Sequence, residues 1–317
     1  MLLDLHVHVS AFLPGHGHVS ARAERSLPFR YMRRQMRIPK GNGEAAEVAV
    51  AERLFAAIDG AAEVDAAVVL AFDAVYDGDG RRDDEGTHLF VENDYVRDLA
   101  ARHSKVRYGA SVHPYRRDAV AEVERCARDG AVLLKWLPIT QRFDPSDRRC
   151  FPVYEALAAL GVPLLSHTGW EHTLPRLLPR AADPSLLVPA LERGVTVIAA
   201  HCGSGAVPGG RDYLDDFIRL THVHERLYGD TAGMSLPNRW YAFERLLADD
   251  VARSRLVHGS DWPIPAYPDP RRVGLRATRT LLAEKNQLRR DVLVKRAMGL
   301  DDEAYWRRGG DLLGGKR

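Results

Sequence analysis

Two histidines two residues apart stand near the start of the chain, in Asp4-Leu5-His6-Val7-His8. The run is short, apolar and rich in β-forming residues, which predicts a strand. Side chains alternate along a strand. His6 and His8 are therefore expected on one face, with Asp4 and Leu2. Leu3, Leu5 and Val7 are expected on the other, against an apolar layer. Two imidazoles on one face at the end of a buried strand can chelate a metal ion. A hydrogen-bonded pair of core histidines is the alternative, and the pair alone does not decide between them.

Four further residues share the same setting, each at or near the end of a short apolar run. They are Lys135 in AVLLKWL, His167 in LLSHTG, His201 in IAAHCG and Asp261 in HGSDWP. His113 closes another such run, where it is either a substrate contact or a buried hydrogen-bonded histidine. Trp136, Trp170 and Trp262 each follow a run's end, where they either wall a flat substrate or cap the core.

The apolar runs recur with a rhythm. Strands are predicted near residues 1–9, 66–72, 106–112, 131–137, 162–167, 195–201, 226–230 and 255–260. Helical stretches follow them, several stopped by glycine, as at Gly130, Gly161 and Gly194. Near-continuous apolar strands covered by helices indicate a parallel sheet. Eight βα units in this length fit an α/β fold, the (β/α)8 TIM barrel, as one domain spanning 1–317. A doubly wound open sheet would carry a Gly-rich phosphate turn after its first strand, where this chain has histidines. Residues 9–43 break the rhythm. They read as an irregular, lid-like insertion with Gly, Pro and His at 14–18 and a basic run at 30–37. The basic run either meets an anionic substrate or is a solvated helix face. His16 and His18 sit in a Gly-rich loop that would not hold a ligand rigidly. His222 and His224 fall on a helical segment, where i and i+2 diverge.

In such a barrel, chemistry sits at the C-terminal ends of the strands. His6, His8, Lys135, His167, His201 and Asp261 would then converge on one mouth. Imidazole and carboxylate together suit zinc and similar divalent ions, manganese included.

At this point the chain resembles the amidohydrolase superfamily, in particular its amidohydrolase-2-type branch. The resemblance runs from His6 to Asp261, through DLHVH, LLKWLP, LLSHTG, AAHCG and HGSDWP. It implies a metal-dependent hydrolase acting on an amide, ester or lactone bond, or else a decarboxylase or hydratase of a small carboxylic acid. It implies one of two metal arrangements. With two ions, His6, His8 and Asp261 hold the first, His167 and His201 the second, and a carboxylated Lys135 bridges them. With one ion, His6, His8, His167 and Asp261 bind it, and His201 stays free as an acid or base. In either, water acidified by the metal attacks the substrate and Asp261 takes the proton. The branch often follows its lysine with a Leu-His-Pro-like phrase. Here Lys135-Trp136-Leu137-Pro138 lacks that histidine. Apart from the carbamate, Lys135 has two other readings: an ammonium paired with Asp or Glu, and a Schiff-base lysine, which the metal-type neighbours disfavour.

Composition bounds the rest. The chain has 317 residues, 45% hydrophobic and 28% charged, with a net charge of +2. Near-neutral charge gives no global argument for nucleic acid or membrane binding. It also weighs against a TatD-like nuclease, which would carry a glutamate-bearing phrase where Lys135 stands. A structural metal scaffold would be closed and sulfur-rich. Cys126, Cys150 and Cys202 form no CxxC and suggest a reducing, cytoplasmic setting. The expected partner is a small-molecule substrate, and a homo-oligomer stays open.

Overall fold

A computed structural model describes residues 1–205 and 211–314. Its centre is a parallel eight-stranded sheet in which consecutive strands are neighbours. The strands are β1 (Leu3–His8), β2 (Ala66–Leu70), β3 (Val106–Ala110), β4 (Leu133–Trp136), β5 (Leu164–His167), β6 (Val197–Ala200), β7 (Leu227–Asp230) and β8 (Leu256–Val257). The ring closes where the segment after β8 meets β1. Leu5 N donates to His258 O at 3.1 Å, Asp261 N to His6 O at 2.9 Å and His8 N to Trp262 O at 2.8 Å. Helices cover the outside, among them Glu44–Asp59, Asn93–Arg102, Ala119–Arg128 and Phe151–Leu160. Gly161 ends the last of these with a φ of +62°, a left-handed conformation that glycine adopts without penalty. The α/β TIM barrel expected from the sequence is the fold observed.

Two apolar layers result. The inner one fills the barrel with Leu3, Leu5, Ala66, Val68, Leu70, Leu133, Leu165, Ile198, Ala200 and Val257. The outer one lies between strands and helices and includes Val7, Val69, Tyr108, Leu164 and Val197. Alternation assigns residues to layers along β2 to β6, but not along β1. There Asp4 pairs with Ala67 and Val7 with Val69, three steps against two, so one extra residue is accommodated as a β-bulge. The expected grouping of His6 with Asp4 and Leu2, opposite Leu3 and Leu5, is therefore corrected. Leu3 and Leu5 cluster inside, Leu2 and Val7 outside. His6 and His8 still share a face, because the bulge ends before Val7.

Residues 9–43 are more ordered than their composition predicts. Gly17–Val19 pairs antiparallel with Leu89–Val91. The helices Ala21–Glu24 and Leu27–Gln35 follow, capped by the hydroxyls of Ser20 and Ser26. Glu47 anchors the segment by accepting from Phe12 N, Leu13 N and His16 Nδ1. All three cysteines are buried free thiols. Among the described residues no helix is long and apolar enough to cross a membrane.

Candidate metal centre

At the C-terminal mouth of the strands the ring nitrogens of β1 meet the end of β8. His6 Nε2 lies 3.0 Å from His8 Nε2 and 3.2 Å from Lys135 Nζ. Asp261 Oδ1 is 3.6 Å from His6 Nε2 and 3.4 Å from His8 Nε2. One donor atom from each of His6, His8 and Asp261 falls within 4.8 Å of the others. The His201 ring centroid is 5.3 Å from that of His6 and 4.8 Å from that of His167. The six residues expected to converge do so.

Local backbone geometry turns them inward. Alternation along β6 sends His201 outward after the inward-facing Ala200. A φ of +62° at His201 re-aims it, and Asp261 has a φ of +66°. Non-glycine residues held in this region are strained, and such strain gathers at functional sites. Gly259 is required beneath them, since a Cβ there would lie 2.8 Å from the Cβ of His6.

Hydrogen bonds select which ring nitrogens stay free. His6 Nδ1 lies 2.7 Å from Asp230 Oδ2, and His201 Nδ1 lies 2.7 Å from Ala232 O. Both partners are acceptors, and although Arg239 Nη1 also lies 3.4 Å from His201 Nδ1, the shorter contact to the Ala232 carbonyl decides that ring. Both rings then carry the proton on Nδ1 and offer a lone pair at Nε2. His167 Nε2 is buried and has no hydrogen-bond partner. Burial drives His6, His167 and His201 well below the usual imidazole range, so each ring is neutral. Burial likewise pushes Lys135 down to about 8, against the pull of Asp230, Asp261 and Glu171. Burial pushes the Asp261 carboxyl up, but His8, His6 and Arg239 outweigh it and the net shift is downward. Neutral imidazoles, an orphaned ring nitrogen and an ionised carboxylate in one buried spot form a donor set that fits a divalent cation.

The cleft above is mostly apolar, with an empty volume of about 820 Å³. His8, His167, His201 and Asp261 form its floor, and Phe29, Met32, Phe72, Leu137, Leu174, Leu236 and Ile264 its walls. Phe29 and Met32 come from the helix Leu27–Gln35. The arginines of that run do not reach the cleft, and Arg30, Arg34 and Arg37 are exposed. The run is thus a solvated face whose apolar side lines the cleft.

None of His113, Trp136, Trp170 and Trp262 lines it, so the alternative reading of each, a buried hydrogen-bonded histidine or a packed tryptophan, is the one the geometry favours. The His113 ring lies between Nε2, donating to Gln141 O, and Nδ1, accepting from Tyr115 N, and is packed by Phe143. Trp136 is wholly buried and donates to Val112 O. Trp262 pairs with Val7 in the closing bridge. Trp170 stacks under Arg176. For Trp136 and Trp262, one residue of alternation separates the mouth from the outer layer.

Three residues at the site were missed. Asp230 ends β7, fully buried, and the strand-end rule reaches it once β7 is recognised. Glu171 lines the cleft, with Oε1 accepting from Thr173 N and Leu174 N and Oε2 3.9 Å from His167 Nδ1. Arg239 is 3% exposed and lines the cleft. It donates to Trp170 O, its Nε has no partner, and no carboxylate among the described residues lies within 4.0 Å of it. It ends the 3-10 turn Pro237–Arg239 at the head of the helix Trp240–Ala248, and helical spacing alone does not tell that the head of this helix turns towards the cleft.

No curated protein sequence matches the chain. Solved structures with the same fold include an uncharacterised TIM-barrel protein from Bordetella bronchiseptica, 15% identical with a TM-score of 0.62 over 99% of each chain. A candidate 2-pyrone-4,6-dicarboxylic acid hydrolase from Pseudomonas putida is 15% identical with a TM-score of 0.59, over 99% of this chain and 98% of that one. A 5-carboxyvanillate decarboxylase from Novosphingobium aromaticivorans, with bound manganese and 3-methoxy-4-hydroxy-5-nitrobenzoic acid, is 13% identical with a TM-score of 0.52, over 99% and 97%. In sequence, the amidohydrolase-2 family model, described as amidohydrolase, matches residues 3–298. With the match spanning nearly the whole barrel and every strand end that carries the site, the chain belongs to the amidohydrolase family.

Proposed function

We propose that the chain is a metal-dependent hydrolase that cleaves an amide, ester or lactone bond of a small molecule. The observation that carries this reading is the convergence of His6 Nε2, His8 Nε2 and Asp261 Oδ1 on one point at the floor of an apolar cleft. His6 and His8, with Asp261, would hold a zinc or manganese ion, and His167, His201 and Lys135 stand within reach. When bound, such an ion acidifies water and polarises a carbonyl. Asp261, ionised and facing the cleft, accepts the water proton and returns it to the leaving group. The apolar walls exclude bulk water and strengthen these interactions.

A second reading is non-oxidative decarboxylation of a small carboxylic acid, and Arg239 favours it. Asp261 and Glu171 act on its buried guanidinium only at longer range, and a carboxylate in the cleft would give it the direct partner that a buried charge calls for. The manganese-bound decarboxylase of the same fold supports this reading by analogy alone. Metal analysis of the purified protein, followed by a panel of small esters, lactones and aromatic carboxylic acids, tests both. Hydrolysis of an ester or lactone that chelator abolishes is the expected result. Release of carbon dioxide with no hydrolysis would transfer the assignment to the second reading, and a metal-free active protein would overturn both.

A further inference from the structure

Asp230 touches two of the converging histidines through different atoms. Its Oδ2 accepts from His6 Nδ1 at 2.7 Å. Its Oδ1 accepts from His201 N at 2.8 Å and from Ala232 N at 3.1 Å. Ala232, fixed in this way, presents the carbonyl that takes the His201 Nδ1 proton at 2.7 Å. Asp230 is fully buried, and every hydrogen-bond partner it has here is a donor. The end of β7 therefore meets side chains from β1 and β6 that are far apart in sequence.

A neutral imidazole carries one proton and one lone pair. A carboxylate at Nδ1 draws the proton there and leaves the lone pair on Nε2. In His6 that nitrogen faces His8 Nε2, Lys135 Nζ and Asp261 Oδ1. With the proton on Nε2 instead, His6 could not ligate anything at the centre. We infer that Asp230 is a positioning residue that selects the Nδ1–H tautomer of His6 and sets the His201 ring, making both competent to bind a divalent cation. The inference rests on the metal reading above, and it assigns β7 a part in the site.

Asp230→Asn separates this role from a merely structural one. The asparagine oxygen can still accept from His201 N and Ala232 N, while its amide N–H₂ faces His6 Nδ1. Two donors cannot share that contact, so the His6 proton should move to Nε2. Long-range proton–nitrogen NMR of histidine-labelled, metal-free protein reads the tautomer directly. Parent His6 should be protonated at Nδ1 and the variant at Nε2. Mn²⁺ titration should give a dissociation constant roughly 10–100-fold higher in the variant. If the variant does not fold, the parent spectrum still decides, because Nε2–H in the parent overturns the inference. Equal Mn²⁺ affinity in a folded Asp230→Asn protein also overturns it, with the metal reading intact. A parent that binds no Mn²⁺ or Zn²⁺ overturns both.

Discussion

The Nε2 atoms of His6 and His8 lie 3.0 Å apart, although their residues are separated by a full pleat of β1. Two ring nitrogens come this close only around a shared proton or a shared cation. The purified protein should therefore carry one to two equivalents of zinc, manganese or a similar ion. His6→Ala combined with His8→Ala should lose it and keep the fold, because both rings sit at the mouth and not in the inner apolar layer. Elemental analysis with far-ultraviolet circular dichroism checks this. Equal metal in variant and parent would remove the assignment.

Asp261→Asn should leave the melting temperature within a few degrees while turnover collapses. Asparagine keeps the shape and can still accept a hydrogen bond, but it cannot take a proton. Loss of a general base costs roughly 10²–10⁴-fold in rate. Near-parental turnover on any substrate found would show that another group accepts the proton.

Lys135 tests the number of ions. If it carries a carbamate that bridges two ions, Lys135→Ala should lose most activity and recover part of it with added short carboxylic acids. Lys135→Arg should stay inactive, since a guanidinium does not form the carbamate. Its amine, pushed down to about 8 by burial, is available to carbon dioxide near neutral pH. Full activity in Lys135→Arg would favour the single-ion arrangement.

Arg239→Met should hold or raise the melting temperature, because it removes a buried cation whose attraction to Asp261 and Glu171 is only long-range. If Arg239 pairs with a substrate carboxylate, kcat/KM for carboxylated substrates should fall roughly 10–100-fold, the range of a charged hydrogen bond. Neutral esters should be affected far less. An equal loss for both classes would assign Arg239 to the floor of the site and not to specificity.

Acid stability should depend on His113, which lies away from the metal centre. Burial lowers it to about 3, against an ordinary value of about 6.5. Below 6.5 the unfolded chain binds a proton there that the folded protein refuses. The parent therefore loses about 1.4 kcal/mol per pH unit from this group as pH falls from 6.5 towards 3. His113→Gln lacks this term. The stability gap between parent and variant should shrink by about 2 kcal/mol between pH 6.5 and pH 5. Urea unfolding at several pH values measures it, and a constant gap would contradict the shift.

The barrel was legible because each strand is a short apolar run at even spacing, and the candidate site because its members end those runs. Periodicity carries no information on what bends the backbone. His201 lies out of phase with Ala200 and reaches the mouth only through its left-handed φ. Trp136, next to Lys135, could wall the cleft or cap the core by its sequence position alone, and it belongs to the outer layer. Ser20 and Ser26 were helix-capping signals in plain view, overshadowed by the glycines and prolines around residues 14–17. Glu171 enters from a loop and Arg239 from the 3-10 turn Pro237–Arg239, and the course of both is set by tertiary packing.

The bulge in β1 has a consequence for how this scaffold is copied or redesigned. Paired without interruption from Leu3, the same hexapeptide would line the barrel with Leu3, Leu5 and Val7 and turn both imidazoles towards the helices. One surplus residue shifts the reading frame of the strand, and with it the molecule passes from inert core to chelator. Composition is identical in the two frames. A graft that reproduces Leu3–His8 letter by letter but pairs it against its neighbour without the bulge would therefore inherit the sequence of the site and none of its geometry.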